Sequence, residues 1–290
     1  LSVGGLINIP LAWLRITDRA GLFFTVSMLK VLLQVSLTFY WLNKGWGITS
    51  ILAAGAVSAI VVAIILCVIQ LKETYISFSM KHLKHIIYYS GPIFIGGAAT
   101  FTLSGMDRWL LAEHFGAIEI AAYAIAIKFA LVPTLLIQPF TLWWFPKRFS
   151  VLKEQDGKNI NAHFAVLGGI LSVVICGAIG LLGPILIQYL TPKDYHTAIV
   201  ILPWLLLCTL LKMLSDLLNL GCFVEKSSKV QMNINLVASA VGGLLLILLV
   251  PLFSVNGALI ALIVAGFTRL VLFYYFSQKK IYLPYKFGYL

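Results

Sequence analysis

The stretch from Ala162 to Leu190, AHFAVLGGILSVVICGAIGLLGPILIQYL, decides the fold class of this chain. It contains no Asp, Glu, Lys or Arg. It is also long enough to cross the hydrocarbon core of a bilayer, which takes about 20 residues of α-helix. A strand of a membrane barrel would instead alternate apolar and polar residues over about ten positions. The stretch is therefore predicted to be a transmembrane helix.

Seven further apolar runs have the same character and end at charged residues, Pro or Gly. They cover residues 22–42, 48–71, 86–103, 115–140, 198–220, 230–253 and 257–276. The chain of 290 residues is 61% hydrophobic and 11% charged, whereas soluble proteins carry roughly 25% charged residues. The sequence predicts an all-α, polytopic membrane bundle of about eight full transmembrane helices. A partial helix at residues 1–14 is expected to be the end of a helix whose beginning is missing.

The positive charges follow the expected topology of such a bundle. When the spans alternate, fourteen of the 21 Lys and Arg residues fall on one side and three on the other, with four inside spans. Basic residues collect on the cytoplasmic side of membrane helices, so the C-terminus is predicted to be cytoplasmic. The net charge of +11 is thereby explained by topology, and no nucleic-acid partner is expected.

The ionisable residues inside the spans are the candidate functional residues, because a charge in hydrocarbon costs on the order of 3 kcal/mol. Lys128 lies about a dozen residues, or roughly 18 Å, from either end of its span, so it is expected to face a cavity. For Lys30 and Arg269 the alternative is snorkelling towards the headgroups. Lys212 and Asp216 are four residues apart and are expected to pair on one helix face. The excess of positive charge predicts a cavity that favours an anion.

A second charged group lies at the predicted outer junction between two spans. It contains Asp107, Arg108, Glu113, His114 and Glu119. These charges are either solvated loop residues or an outer gate in which Asp107 or Arg108 pairs across the mouth of a cavity.

Motifs of enzymes and metal sites are not found in the sequence. It has no GxSxG, HExxH or Walker loop, so no enzyme activity and no cofactor are predicted. His82 and His85 lie among lysines that repel cations, which argues against a metal site there. The four cysteines form no CxxC pair and are predicted to be reduced packing residues.

Several ordered segments of the chain resemble one family of membrane proteins. The segments are Gly105–Leu111 (GMDRWLL), Phe115–Gly116, Ala122–Lys128 (AYAIAIK), Leu182–Pro184, Tyr195–Ala198, Gly221–Lys229 (GCFVEKSSK), Val250–Pro251 and Asn256–Ala258. They resemble the polysaccharide exporters, the O-antigen-type flippases of the multidrug/oligosaccharidyl-lipid/polysaccharide flippase superfamily. The chain departs from the family pattern at Ala124, where Ser is common, and at 253–255, where Phe-Ser-Val replaces a frequent Tyr-Gly-Ile.

The resemblance implies a fold of two six-helix lobes around a central cavity, with the present spans corresponding to helices four to twelve. Residues 1–85 would then end the first lobe, residues 86–276 would form the second lobe, and residues 277–290 would be a cytoplasmic tail. The implied function is translocation of a polyprenyl-diphosphate-linked oligosaccharide across the cytoplasmic membrane by alternating access, for assembly of surface polysaccharide. Implied partners are this lipid-linked oligosaccharide, membrane lipids, a coupling proton or sodium ion, and glycan-assembly proteins.

Residue roles follow from this implied function. Lys128, Arg269, Lys30 and Lys212 are expected to be substrate-binding cations. Asp216, Asp107 and Arg108 are expected to act in coupling or gating.

Three alternatives to the flippase function stay open at this point. One is a cation-coupled drug or metabolite antiporter on the same fold, which would need buried carboxylates. Another is a structural membrane protein or an inactive truncated product. A membrane-embedded glycan polymerase is a third, although such enzymes usually carry a large outer loop, which is absent from this sequence.

Overall fold

The computed structural model describes residues 2–17, 19–74, 80–114, 116–223 and 229–285. All regular structure in these ranges is helical. Continuous apolar runs favour this outcome in a membrane, because a helix satisfies every backbone hydrogen bond within one segment. The chain divides into two compact units, Leu1–Met80 and Lys81–Leu290. The domain boundaries expected from the sequence, at 85/86 and 276/277, stay predictions.

The first unit contains three helices. They are α1 (Ser2–Ile16), α2 (Ala20–Asn43) and α3 (Thr49–Glu73). Its core brings together Leu14 from α1, Val26 from α2 and Leu66 from α3. Many other apolar side chains of α2 and α3 are exposed, as expected for helices that face lipid.

The second unit contains the longer helices. They are α4 (Met80–His114), α5 (Ala117–Val151), α6 (Gly157–Leu190), α7 (Ala198–Leu218) and α8 (Lys229–Lys280). Short 3₁₀ turns at Lys193–Tyr195 and Leu220–Phe223 flank α7. The core of this unit is built mainly from α5, α7 and α8, around the fully buried side chains of Tyr123, Leu202, Leu246 and Val250.

Helix α8 is 52 residues long but doubles back at Ser254. The two arms run antiparallel: a Cβ added to Gly242 would lie 2.8 Å from the Cβ of Ala265, and one added to Gly257 would lie 2.2 Å from the carbonyl oxygen of Leu249. The two spans predicted at 230–253 and 257–276 are therefore the two arms of one hairpin.

Ser254 sits at the tip of this hairpin with φ 57° and ψ −136°. Side-chain-bearing residues rarely adopt this backbone conformation, and holding one there costs about 1–3 kcal/mol. Glycine adopts it without that strain. We therefore expect Ser254→Gly to stabilise the protein by about 1 kcal/mol. Thermal unfolding of the purified protein in detergent measures this; Ser239→Gly, on a regular turn of the same helix, should instead be destabilising.

Six helices of the described part are long and apolar enough to cross a membrane, and the protein is a multi-pass membrane protein. They are Ala20–Asn43, Thr49–Glu73, Ile118–Val151, Gly157–Leu190, Lys193–Leu218 and Lys229–Lys280. The one predicted span outside these six helices is 86–103, which lies in α4.

Several helices are longer than the spans predicted from the sequence. The stretch 146–161, which lies between two predicted spans, is helical as far as Val151 and again from Gly157. Helix α4 continues past the predicted span end at Leu103 to His114, so Asp107, Arg108 and Glu113 are helical residues and not loop residues. In both places the helix extends beyond the purely apolar segment, which hydropathy alone does not register.

Candidate functional site

The main polar cluster of the second unit joins α7 to both arms of α8. Nη2 of Arg269 lies 2.9 Å from Oδ1 of Asp216 in an ion pair, and Nε of Arg269 donates a hydrogen bond of 3.1 Å to Oδ1 of Asn235. The guanidinium also lies over the ring of Phe273, 5.0 Å from its centroid. These contacts fix Arg269 at the junction of three helical segments, so it does not snorkel freely.

The predicted pair between Lys212 and Asp216 is wrong. Asp216 pairs with Arg269 on α8, while Lys212 is exposed and has no ion pair within the described ranges. A spacing of four residues brings two side chains to one face of a helix. It cannot reveal a stronger partner on another helix. The bidentate shape of Arg makes it the better partner for a carboxylate in such a setting.

Arg148 is the functional candidate that sequence reasoning missed, because it was counted among the solvated basic residues. Its side chain is only 6% exposed. Nη1 donates to Oδ1 of Asn219 at 3.0 Å and reaches the backbone oxygen of Asp216 at 3.4 Å, while Nε has no partner among the described residues. The guanidinium is surrounded by the rings of Phe145, Phe149 and Phe223. The signal available in the sequence was its position between Phe145 and Phe149.

Arg148, Asp216 and Arg269, with Asn219 and Asn235, are named here the inner polar cluster. Arg269 pairs with the carboxylate of Asp216, whereas Arg148 reaches only the backbone oxygen of that residue and has no ion pair within the described ranges. The cluster therefore retains positive charge. Guanidinium groups bind phosphate oxygens through two parallel hydrogen bonds. This arrangement can therefore hold an anion such as a phosphate ester.

A groove of about 300 Å³ opens between α5 and α7 beside this cluster. Asp216 lines it, together with the polar side chains of Thr134, Gln138 and Thr141 on α5. Positions 134, 138 and 141 follow the spacing of one helix face, so they form a polar stripe on a membrane-spanning helix. We refer to this feature as the α5–α7 groove.

The other predicted cations lie outside the inner polar cluster. Lys128 is an exposed residue of α5. It precedes Leu135 by seven residues, and Leu142 by fourteen, and both leucines line the α5–α7 groove. That spacing puts Lys128 close to the same helix face, about two turns away. Lys30 is half-buried on α2 of the first unit, and its role stays a prediction.

Asp107 and Tyr123 form a second polar site, between α4 and α5. The hydroxyl of Tyr123 donates a hydrogen bond of 2.6 Å to Oδ2 of Asp107. Asp107 is 3% exposed, Tyr123 is fully buried, and Oδ1 of Asp107 has no partner among the described residues. Arg108, the next residue, is exposed. The alternative of a solvated Asp107 is wrong, because its side chain faces the interior of the unit; the gating role stays a prediction.

The described residues contain no group of three or more His, Cys, Asp or Glu side chains that could hold a metal ion. The side chains of His82 and His85 lie outside the described residues. The four cysteines are free thiols.

Comparisons with known proteins agree on family and fold. The sequence pattern of the family described as polysaccharide biosynthesis protein matches residues 1–167. The crystal structure of a MATE mutant has a similar fold, with a TM-score of 0.66 and 15% sequence identity over 95% of this chain. The chain spans 66% of the length of that structure. No curated protein matches the chain.

Proposed function

Because the chain belongs to the polysaccharide biosynthesis protein family, we propose that it translocates a polyprenyl-diphosphate-linked oligosaccharide across the cytoplasmic membrane. The family membership confirms the resemblance drawn from the sequence. The observation that carries the substrate class is the inner polar cluster, in which Arg269 binds the carboxylate of Asp216 and Arg148 reaches its backbone oxygen, beside a groove in a membrane-spanning bundle. A diphosphate cannot cross hydrocarbon unaided, and guanidinium groups can replace its lost hydration.

The α5–α7 groove gives the sugar headgroup polar neighbours. Oligosaccharide hydroxyls need hydrogen-bond partners once they leave water, because unpaired polar groups are costly in a low-dielectric medium. Thr134, Gln138 and Thr141 supply hydroxyl and amide groups along one helix face. The polyprenyl chain stays in the surrounding lipid, so the protein needs to shield only the headgroup.

Movement of the anion along the groove requires more than one cation. Lys128 lies on the groove side of α5, about two turns from Leu135, and is proposed to pass the diphosphate to or from Arg269. Lys212 and Lys30 are proposed as further cations of the path. Since each cation also raises the free energy of the empty bundle in lipid, a role in binding explains their presence.

The Asp107–Tyr123 site is proposed to couple translocation to a proton or sodium gradient. A buried carboxylate whose second oxygen lacks a partner among the described residues has the ligand atom that either cation needs. Arg108, exposed beside it, is proposed to gate the outer end. The chain is proposed to lie in the cytoplasmic membrane with its C-terminus in the cytoplasm, to act with other glycan-assembly proteins, and to transport its substrate without chemical change.

The direct test is to delete the gene in its native host and analyse polyprenyl-diphosphate oligosaccharides by mass spectrometry. We expect the complete lipid-linked unit to accumulate and surface polysaccharide to disappear, and full-length protein to reverse both. Complementation with Lys128→Ala should restore surface polysaccharide about tenfold less well, matching the loss of one charge contact, whereas Lys193→Ala should restore it fully. An unchanged lipid-linked pool with unchanged surface glycan contradicts the proposal.

The antiporter alternative gains one observation from the structure, namely the burial of Asp107. A cation-coupled antiporter uses buried carboxylates, and the sequence alone had offered only Asp216 inside a span. The same deletion strain separates the two functions. Hypersensitivity to cationic dyes with normal surface polysaccharide favours the antiporter.

A further inference from the structure

A second groove lies on a different face of the second unit, between α6, α7 and the end of α8. Its volume is about 500 Å³, within the range of about 300–1,000 Å³ typical of small-ligand pockets. Its lining is almost entirely apolar and includes Val166, Gly169, Val173, Leu214, Tyr274 and Tyr285. We refer to it as the α6–α8 groove.

The shape of this groove suits a hydrocarbon chain. Its lining on α6 extends from Ala165 to Val174, which is roughly 14 Å at 1.5 Å per residue. Because α6 is a membrane-spanning helix, this length lies at the depth of the lipid tails. Gly169 widens the groove: a Cβ there would lie 3.5 Å from Cδ2 of Leu214, its nearest neighbour.

One end of the groove is formed by the segment that follows α8. After α8 ends at Lys280, the chain turns back, and the side chain of Gln278 holds Leu283 by two hydrogen bonds of 3.0 Å, one to its N–H and one to its carbonyl. Leu283 is buried against Ala162 and Leu220. This fold-back places the ring of Tyr285 6.2 Å from that of Tyr274 at the end of the groove.

The two tyrosines give this end the character of a membrane interface. Tyrosine prefers the headgroup level, with its ring in the apolar layer and its hydroxyl in the polar layer. Burial raises the pKa of the Tyr285 phenol, and the neighbouring Tyr274 raises it further, against a smaller opposite effect of Arg148. Its hydroxyl therefore stays protonated and can donate a hydrogen bond to a phosphate or ester oxygen.

The charge at this end is positive. Among the described residues near the helix ends here, lysines outnumber carboxylates. The lysines are Lys147, Lys153, Lys158, Lys279 and Lys280, and the carboxylates are Glu154 and Asp156. Lys158 lies on α6 seven residues before Ala165, so the two share a helix face. Lys158 also borders a polar crevice that Tyr282 and Pro284 of the fold-back help to line.

We propose that the α6–α8 groove binds one acyl chain of an anionic phospholipid, with the headgroup phosphate at the Tyr274–Tyr285 end. The apolar trough takes the chain, the tyrosine hydroxyl donates to the phosphate region, and the lysines supply the complementary charge. Apart from Leu217, its lining residues differ from those of the α5–α7 groove, and the proposal does not depend on what the protein transports.

The test measures lipid retention by the full-length protein. Protein is reconstituted in nanodiscs containing phosphatidylcholine and spin-labelled phosphatidylglycerol, and the immobilised fraction of the label is recorded. Gly169→Phe fills the groove, while Gly177→Phe adds the same side chain to the same helix at a position with nothing within 4 Å. We expect Gly169→Phe to weaken immobilisation about tenfold and Gly177→Phe to leave it unchanged.

A second variant tests the headgroup end without risk to the fold. Tyr285→Phe removes only the hydroxyl, and we expect it to lower the immobilised fraction of spin-labelled phosphatidylglycerol several-fold, as for loss of one hydrogen bond to a charged group. Equal immobilisation of both lipids by the unaltered protein overturns the anionic assignment. Equal immobilisation by Gly169→Phe and Gly177→Phe overturns the site itself.

Discussion

Replacing Asp216 with asparagine is expected to abolish export and to lower the stability of the folded protein by about 3 kcal/mol. Removing one member of a largely buried ion pair leaves the other charge uncompensated, which typically costs about 3–5 kcal/mol. The Asp216 side chain is 36% exposed and that of Arg269 is 11% exposed, so the lower end of that range applies. Thermal unfolding in detergent and recovery of surface polysaccharide in the deletion strain measure the two effects separately. Lys212→Gln, one turn earlier on α7, is the control for stability and should unfold like the unaltered protein.

A double variant separates the structural role of the ion pair from its role in transport. Asp216→Asn combined with Arg269→Gln removes both charges, so we expect roughly 1–3 kcal/mol of stability to return relative to the sum of the single variants. Transport should stay absent, because the guanidinium that binds the diphosphate is gone. If the double variant exports normally, Arg269 serves only to hold α7 against α8 and the anion site lies elsewhere.

The fold class and most spans of this protein follow from the sequence because hydropathy acts locally. A run such as 162–190 is long and apolar enough to cross the bilayer by itself, whichever helices pack around it. The ends of helices do not follow so simply. Helices α4 and α5 continue to His114 and Val151, past the apolar segment, because packing and hydrogen bonding continue where apolar character stops.

The candidate site was only partly predictable, for a related reason. Hydropathy identified Arg269 and Asp216 as costly residues within spans, but their pairing depends on how α7 and α8 pack, and 53 residues separate them in the sequence. Spacing favoured Lys212, which lies on the same helix as Asp216. Arg148 was counted with the loop residues because it lies outside the predicted spans, yet Asn219 and three phenylalanine rings enclose it. Contacts that depend on tertiary packing are invisible to a local pattern.

The second large effect is expected at Asp107, where replacement by asparagine should uncouple transport from the ion gradient while preserving the fold. Asparagine has nearly the same shape and keeps an oxygen that accepts the hydrogen bond from Tyr123, but it has no carboxylate to take up a proton or bind sodium. In proteoliposomes with an imposed gradient, we expect the initial rate of lipid-linked oligosaccharide translocation to fall roughly hundredfold, or about 2.7 kcal/mol in barrier height.

Tyr123→Phe is the matched variant for this prediction, because it removes the hydrogen bond between the two residues and keeps the carboxylate of Asp107. It leaves both carboxylate oxygens of a 3% exposed residue without their protein donor. A buried polar group left unpaired costs about 1–3 kcal/mol, so Tyr123→Phe should unfold at a lower temperature. It should still respond to the gradient, since the carboxylate is intact. If Asp107→Asn keeps gradient-driven translocation, Asp107 is only the acceptor that orders Tyr123 between α4 and α5, and the coupling ion binds at another residue.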